Sequence, residues 1–162
     1  MSGVRHRLAG RITVPLPPAE AFPLFTARGE RRWVPGWEPS FPAPVTDDAR
    51  PETVFQTHAG ERTTTWIVVD GTPGRRIRYA RVTPGTSAGT VSVVLDEADG
   101  HSEVTVTYEL TALSDEGAAH LHRFAAEYPA FLASWQDAIT DALQAEAFQA
   151  EALRAANPGP AT

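Results

Sequence analysis

Three side chains of this sequence sit in alternating segments where they can hold an anion or move a proton: Arg81, His58 and Tyr108. Arg81 lies in the run 75–83. If the parity Ile77, Tyr79, Arg81 faces inward, it delivers a guanidinium able to hold a carboxylate or enolate bidentately. The opposite parity, Arg78, Ala80, Val82, leaves Arg81 solvated or paired with a structural carboxylate, the commoner fate of an arginine. His58 ends the run 52–58 and is a general base near neutral pH where it faces a cavity. With Phe55 inward instead, it stands outside at a rim. Tyr108 shares the apolar parity of Val104, Val106 and Leu110, while Thr105, Thr107, Glu109 and Thr111 take the other face. Arg81, His58 and Tyr108 are the candidate catalytic residues.

Other chemistries are excluded by composition. The chain has no cysteine, hence no disulfide, thiolate nucleophile or cysteine-based metal site. All 14 basic residues besides histidine are arginine, so no lysine can form a Schiff base. His120 and His122 would stand about 200° apart on a helix and cannot chelate one metal. Glu109 and Glu127 fall off the apolar faces and read as solvated. No metal and no cofactor is expected. The net charge of −6 is offset by no basic stripe, and the densest basic cluster, Arg75, Arg76, Arg78 and Arg81, sits inside a strand pattern. Nucleic acid is therefore not an expected partner. No apolar run reaches the roughly 20 residues that span a bilayer, so no membrane insertion is expected. The N-terminus lacks the pattern of a secretory signal, which makes the cytoplasm the default location.

The aromatics point to binding. Trp33, Trp37, Trp66 and Trp135, with Phe25, Tyr79, Tyr108 and Tyr128, offer flat apolar area whose N–H and O–H groups can orient a ligand. With Val93 and Leu132 they are the candidate ligand-binding set. The alternative is that they fill the core and leave no cavity. The loop from Trp33 to Trp37 is the expected mouth or lid.

These residues need a frame, and periodicity supplies it. Residues 6–16 alternate, with Leu8, Gly10, Ile12, Val14 and Leu16 on one face of a half-buried strand. A short helix over 19–25 follows, with Phe22 and Phe25 on one face, then a brief helical or turn segment over 28–33. Five prolines between 35 and 51 mark an irregular loop. The runs 52–58, 62–70, 75–83, 88–97 and 102–112 are strands separated by turn residues, with Asp99-Gly100 the strongest hairpin signal. Ser114 is a helix N-cap, with Asp115 and Glu116 in the first turn, and a long helix runs to about Ala155. Its apolar stripe includes Leu121, Phe124, Tyr128, Leu132, Trp135 and Ile139, and Pro129 is expected to kink it. The end beyond Leu143, with Phe148 and Leu153, projects and offers a homodimer contact. The outer sheet parity of Thr, Arg and Glu offers no apolar patch for a cochaperone-like role. The 162 residues read as one domain over 1–156 with a disordered tail over 157–162.

This order of elements resembles the START-related (SRPBCC) superfamily, which includes the polyketide cyclases and the birch pollen allergen group. The likeness covers residues 6–143. Local pieces resemble small bacterial members: Phe22 to Thr26, Gly29 to Trp37, Tyr79 to Pro84 and Val106 to Ser114. The resemblance implies an α+β helix-grip fold, a curved antiparallel sheet of six to seven strands around a long C-terminal helix, enclosing a cavity. It also implies functions ranging from lipid or polyketide binding to cyclisation, hydrolysis and cochaperone activity. Fold alone does not choose among these. The residues favour binding of a small apolar or aromatic metabolite; the alternative is a cyclase/dehydratase-like or hydrolase-like enzyme using the same cavity for acid/base chemistry.

Overall fold

The computed structural model describes residues 3–156; the expected disordered tail lies outside them. The alternating segments form six strands: β1 (Arg5–Val14), β2 (Val54–Ala59), β3 (Arg62–Thr72), β4 (Arg76–Thr83), β5 (Ser87–Ala98) and β6 (His101–Ala112). They make one antiparallel sheet in the order β1-β6-β5-β4-β3-β2, so the first strand pairs with the last. Each hairpin turn carries residues that accept positive φ. Gly60, Gly74 and Gly85 do so, and Asp99 (φ 52°) with Gly100 (φ 85°) form the tight two-residue connection that their sequence signals. A bulge between Val68 and Asp70 interrupts the β3–β4 register, the kind of irregularity that bends a strand. Among the described residues no seventh strand forms, and near residues 41–45 the pairing is limited to an isolated bridge from Ser40 to Gln56.

Between β1 and β2 the chain makes a short helix, α1 (Pro18–Ala21), and two 3₁₀ turns, Phe22–Phe25 and Gly29–Arg32. Pro23 keeps the first segment from continuing as α-helix. The long helix α2 (Asp115–Ala156) begins where Ser114 Oγ accepts the Gly117 N–H at 2.9 Å, and it continues without interruption through Pro129.

The core lies between the concave sheet face and α2. Val68, Ile77, Val104, Val106, Leu121 and Ile139 are almost fully removed from water there. The helix approaches β1 closely because Gly10 has no side chain: a Cβ at that position would sit 2.5 Å from Leu132 Cδ1. Edge-to-face contacts of Tyr108 with Phe124, Tyr128, Phe131 and Trp135 hold α2 over β6. Beyond the sheet the helix end is bare, with Phe148 and Leu153 both exposed. The outer sheet face is more aliphatic than its Thr, Arg and Glu residues imply: Val54, Ile67, Val69 and Val82 are exposed, and Val54 and Ile67 face each other across β2 and β3.

Candidate functional site

Strand alternation decides what reaches the interior. On β4 the parity Ile77, Tyr79, Arg81, Thr83 points inward, and on β5 and β6 Val91, Val93 and Tyr108 do the same. Of these, Tyr79, Arg81, Val91, Val93 and Tyr108, together with Trp66 of β3, Phe55 of β2, Phe25 of the first 3₁₀ turn and Phe131 and Trp135 of α2, surround a cavity of about 240 Å³. Glu30, Val34 and Trp37 close one side. The volume is just below the roughly 300–1,000 Å³ of typical ligand pockets, which suits a small compound.

The closing segment is held by indole and hydroxyl hydrogen bonds to backbone. Trp33 Nε1 donates to Leu24 O and Trp37 Nε1 to Ala27 O, both at 2.7 Å. Thr26 accepts the Gly29 N–H at Oγ1 and the Glu30 N–H at its carbonyl, which fixes the second 3₁₀ turn against the first. Arg32 clasps Glu146 of α2 through Nε at 2.8 Å and Nη2 at 2.5 Å. That pair is more than a third exposed, so it contributes at most about 1 kcal/mol.

Of the expected binding residues, Phe25, Trp37, Trp66, Tyr79, Val93, Tyr108 and Trp135 come together on the cavity wall, and so does Arg81. The others do not reach it. Trp33 is buried beneath the wall, edge-on to Phe25 and Trp135. Tyr128 and Leu132 face β1: the Tyr128 hydroxyl donates to Val106 O at 2.7 Å, and Leu132 packs on Gly10. His58 is corrected outright. Phe55 points inward, and a residue three positions along a strand must point the other way. His58 is exposed on the outer face, with Nδ1 2.9 Å from Thr63 Oγ1, and takes no part in the cavity.

Arg81 is held in an unusual way. Its guanidinium lies 4.7 Å over the Trp66 ring, and Nη2 donates to Thr83 Oγ1 at 3.4 Å. Nε is sealed from solvent and has no partner. Among the described residues no carboxylate pairs with it. Burial pulls its pKa below the ordinary guanidinium range, with the nearby Tyr108 opposing. A desolvated cation without a counterion is costly unless something else supplies the missing interaction.

Among the described residues, two more polar groups face the same space without a hydrogen bond to protein. Tyr79 uses its hydroxyl on Phe25 O at 2.7 Å. The Tyr108 hydroxyl has no such partner, and burial is the main cause of its raised pKa. The Glu30 carboxyl likewise has none, and burial alone lifts it well above the ordinary 4.5. Glu30 was not foreseen from sequence: it sits in an irregular turn beside Arg31 and Arg32, where an acid reads as solvated. Val34 and Phe131 were also missed, while Phe55 and Val91 had a readable inward parity but stood outside the expected binding set. Phe131 had a signal, three residues after Tyr128 and four before Trp135.

Glu30 gives the fold a pH dependence. The native state keeps the proton above the pH at which the unfolded chain releases it, so unfolding releases a proton and stability falls as pH rises from about 4.5 towards the raised value. Urea midpoints of wild type and Glu30→Gln, taken in mildly acid and mildly alkaline buffer, check this. The wild type should lose more stability between the two conditions than the variant, and parallel losses would show that Glu30 is not held protonated.

Among the described residues no group of three or more His, Asp or Glu is arranged to hold a metal ion, and no helix is long and apolar enough to cross a membrane. The sequence matches the family described as "Polyketide cyclase / dehydrase and lipid transport" over residues 5–150, nearly the whole of the fold and its cavity. The chain belongs to that family. The polyketide cyclase/lipid transport fold is shared with solved structures at low identity. An uncharacterised protein from Rhizobium leguminosarum superposes with a TM-score of 0.64 at 14% identity, covering 86% of this chain and 97% of that one. A protein from Rhizobium loti gives 0.59 at 19%, covering 90% and 99%. Ara h 8.0201 gives 0.60 at 14%, covering 85% and 99%. No curated protein matches the chain. For this member of the polyketide cyclase/lipid transport family, function must be argued from its own cavity.

Proposed function

We propose that the protein binds a small, flat, largely apolar or aromatic metabolite in the cavity between sheet and α2. The observation that carries this reading is the wall itself: Phe25, Trp37, Phe55, Trp66, Tyr108 and Trp135 surround about 240 Å³ that their own packing leaves free. Aromatic faces and edges at this density suit a planar guest, and the tryptophans on the wall report its arrival through their fluorescence.

Titration with 2-naphthol, an uncharged bicyclic probe, tests the reading. Quenching of tryptophan emission should saturate. Trp37→Ala should weaken binding roughly tenfold, the loss of about 1.4 kcal/mol of aromatic contact. Glu109→Ala, a change on the outer face where Glu109 meets Arg7, should leave binding unaltered. Equal effects of the two variants, or no saturable quenching, would sink the assignment.

The Arg81 guanidinium with its unused Nε–H, together with Tyr108 and Glu30 on the same wall, favours a second reading. In a cyclase/dehydratase-like or hydrolase-like enzyme, Arg81 would stabilise a developing enolate oxygen and Tyr108 or an uncharged Glu30 would donate to it, the Cα proton passing to a solvent water. Exchange of the α-protons of 1-tetralone in deuterated water, followed by NMR, separates the two. Acceleration lost in Tyr108→Phe or Glu30→Gln marks chemistry, and exchange at the buffer rate leaves binding.

A further inference from the structure

The charges inside the cavity do not balance, and the imbalance specifies the ligand. The titratable side chains on its wall are Arg81 and Tyr79 from β4, Tyr108 from β6 and Glu30 from the second 3₁₀ turn; α2 contributes only Phe131 and Trp135. Asp48, in the loop before β2, acts on Tyr79 from outside the wall. Both wall tyrosines are held neutral by burial. Arg81 and Glu30 do not pair with each other, and the cations near Glu30 are engaged elsewhere: Arg28 on the carbonyls of Val45 and Thr46, Arg31 on Pro39 O, Arg32 on Glu146. Desolvation favours the uncharged form of Glu30. With Glu30 uncharged, the cavity holds one net positive charge, on a guanidinium with a sealed, unused Nε–H.

We propose that the cavity selects a planar aromatic monoanion whose anionic oxygen is held by Arg81, and that Glu30 sets the limit of one negative charge by repelling the ligand when it ionises. This rests on the reading of the cavity as a ligand site. A neutral guest leaves the buried guanidinium uncompensated, and an ionised Glu30 would itself compensate it and compete with the guest. Trp66 contributes by holding the guanidinium over its ring, 4.7 Å from Cζ to the ring centre, which fixes the cation on the cavity wall.

The test compares 2-naphthoate with naphthalene-2-carboxamide, which has the same shape and no charge, by quenching of tryptophan fluorescence. The wild type should bind the anion at least tenfold more tightly near neutral pH. Arg81→Gln should abolish the preference, and Arg81→Lys, which keeps the charge, should retain most of it. Affinity for 2-naphthoate should fall as pH rises through the ionisation of Glu30 and should stay level in Glu30→Gln. Equal wild-type affinities for the two probes, or a preference that survives in Arg81→Gln, overturn the anion site while leaving the ligand cavity standing. A wild-type pH profile that parallels that of Glu30→Gln overturns the role of Glu30. Failure of both probes to bind overturns the cavity reading and this inference with it.

Discussion

Replacing Trp66 by alanine is expected to lower stability by about 3–5 kcal/mol, the range for deleting a large buried aromatic. The indole is a hub. It stacks on Phe55 at 5.7 Å and 3°, meets Tyr79 edge-on at 5.9 Å and Trp37 at 5.8 Å, and donates from Nε1 to Thr57 Oγ1 at 2.9 Å. Its removal merges the space it filled with the adjacent cavity, so the neighbours cannot collapse to recover the lost contacts. It also takes the aromatic face from under Arg81, leaving the guanidinium to Thr83 alone. Urea unfolding followed by circular dichroism measures the first effect and 2-naphthol titration the second. A loss under about 1 kcal/mol would mean that the ring borders open space more than it packs. Trp66→Phe, which keeps much of the stack, should cost markedly less.

Gly29→Ala is the second large effect, and it acts by displacement. A Cβ on Gly29 would lie 1.6 Å from Pro23 O and 2.7 Å from its carbonyl carbon, a backbone contact that cannot swing aside. The two 3₁₀ turns would have to part, breaking the Gly29 N–H bond to Thr26 Oγ1 and straining that of Glu30 to Thr26 O. Overpacking of this kind costs about 1–3 kcal/mol, and here the movement carries Glu30 and Val34 away from the cavity. Reduced urea stability together with weakened 2-naphthol binding is the expected pair of results. Unchanged values for both would show that the turns separate freely and that Thr26 does not position the wall.

How much of this was readable in the sequence depended on local regularity. The strands were visible because residues such as Val104, Val106, Tyr108 and Leu110 repeat at the period of a half-buried sheet, and Ser114 marked the start of α2. On β4 the same alternation groups Tyr79 with Arg81 but leaves open whether they or Arg78, Ala80 and Val82 face inward, and burial of Ile77 and Tyr79 decides it. His58 escaped because a strand with a single large apolar residue, Phe55, leaves its inward parity open. On α2 the apolar stripe is broad enough to serve two surfaces. Tyr128 and Leu132 turn to β1, whereas Phe131 and Trp135 turn to the cavity, and one residue's rotation of about 100° separates the roles. Glu30 on the wall and Trp33 behind it were beyond periodicity, because irregular backbone fixed by single hydrogen bonds has no repeat to read.

The pairing of β1 with β6, from Arg5 with Thr111 to Val14 with Ser102, bears on how the molecule is made. During synthesis the first strand emerges without a partner and must wait until almost the whole sheet has left the ribosome. The strands β2 to β6, joined by consecutive hairpins, can assemble meanwhile from contacts close in sequence. Closure of the sheet by β1 is thus the non-local, slow event, and it draws in the two turns that complete the cavity wall. Pulsed hydrogen exchange during refolding should protect the β5–β6 amides before those of β1. Until that late step, the aromatic interior stands open, the period in which a nascent chain is most exposed to aggregation.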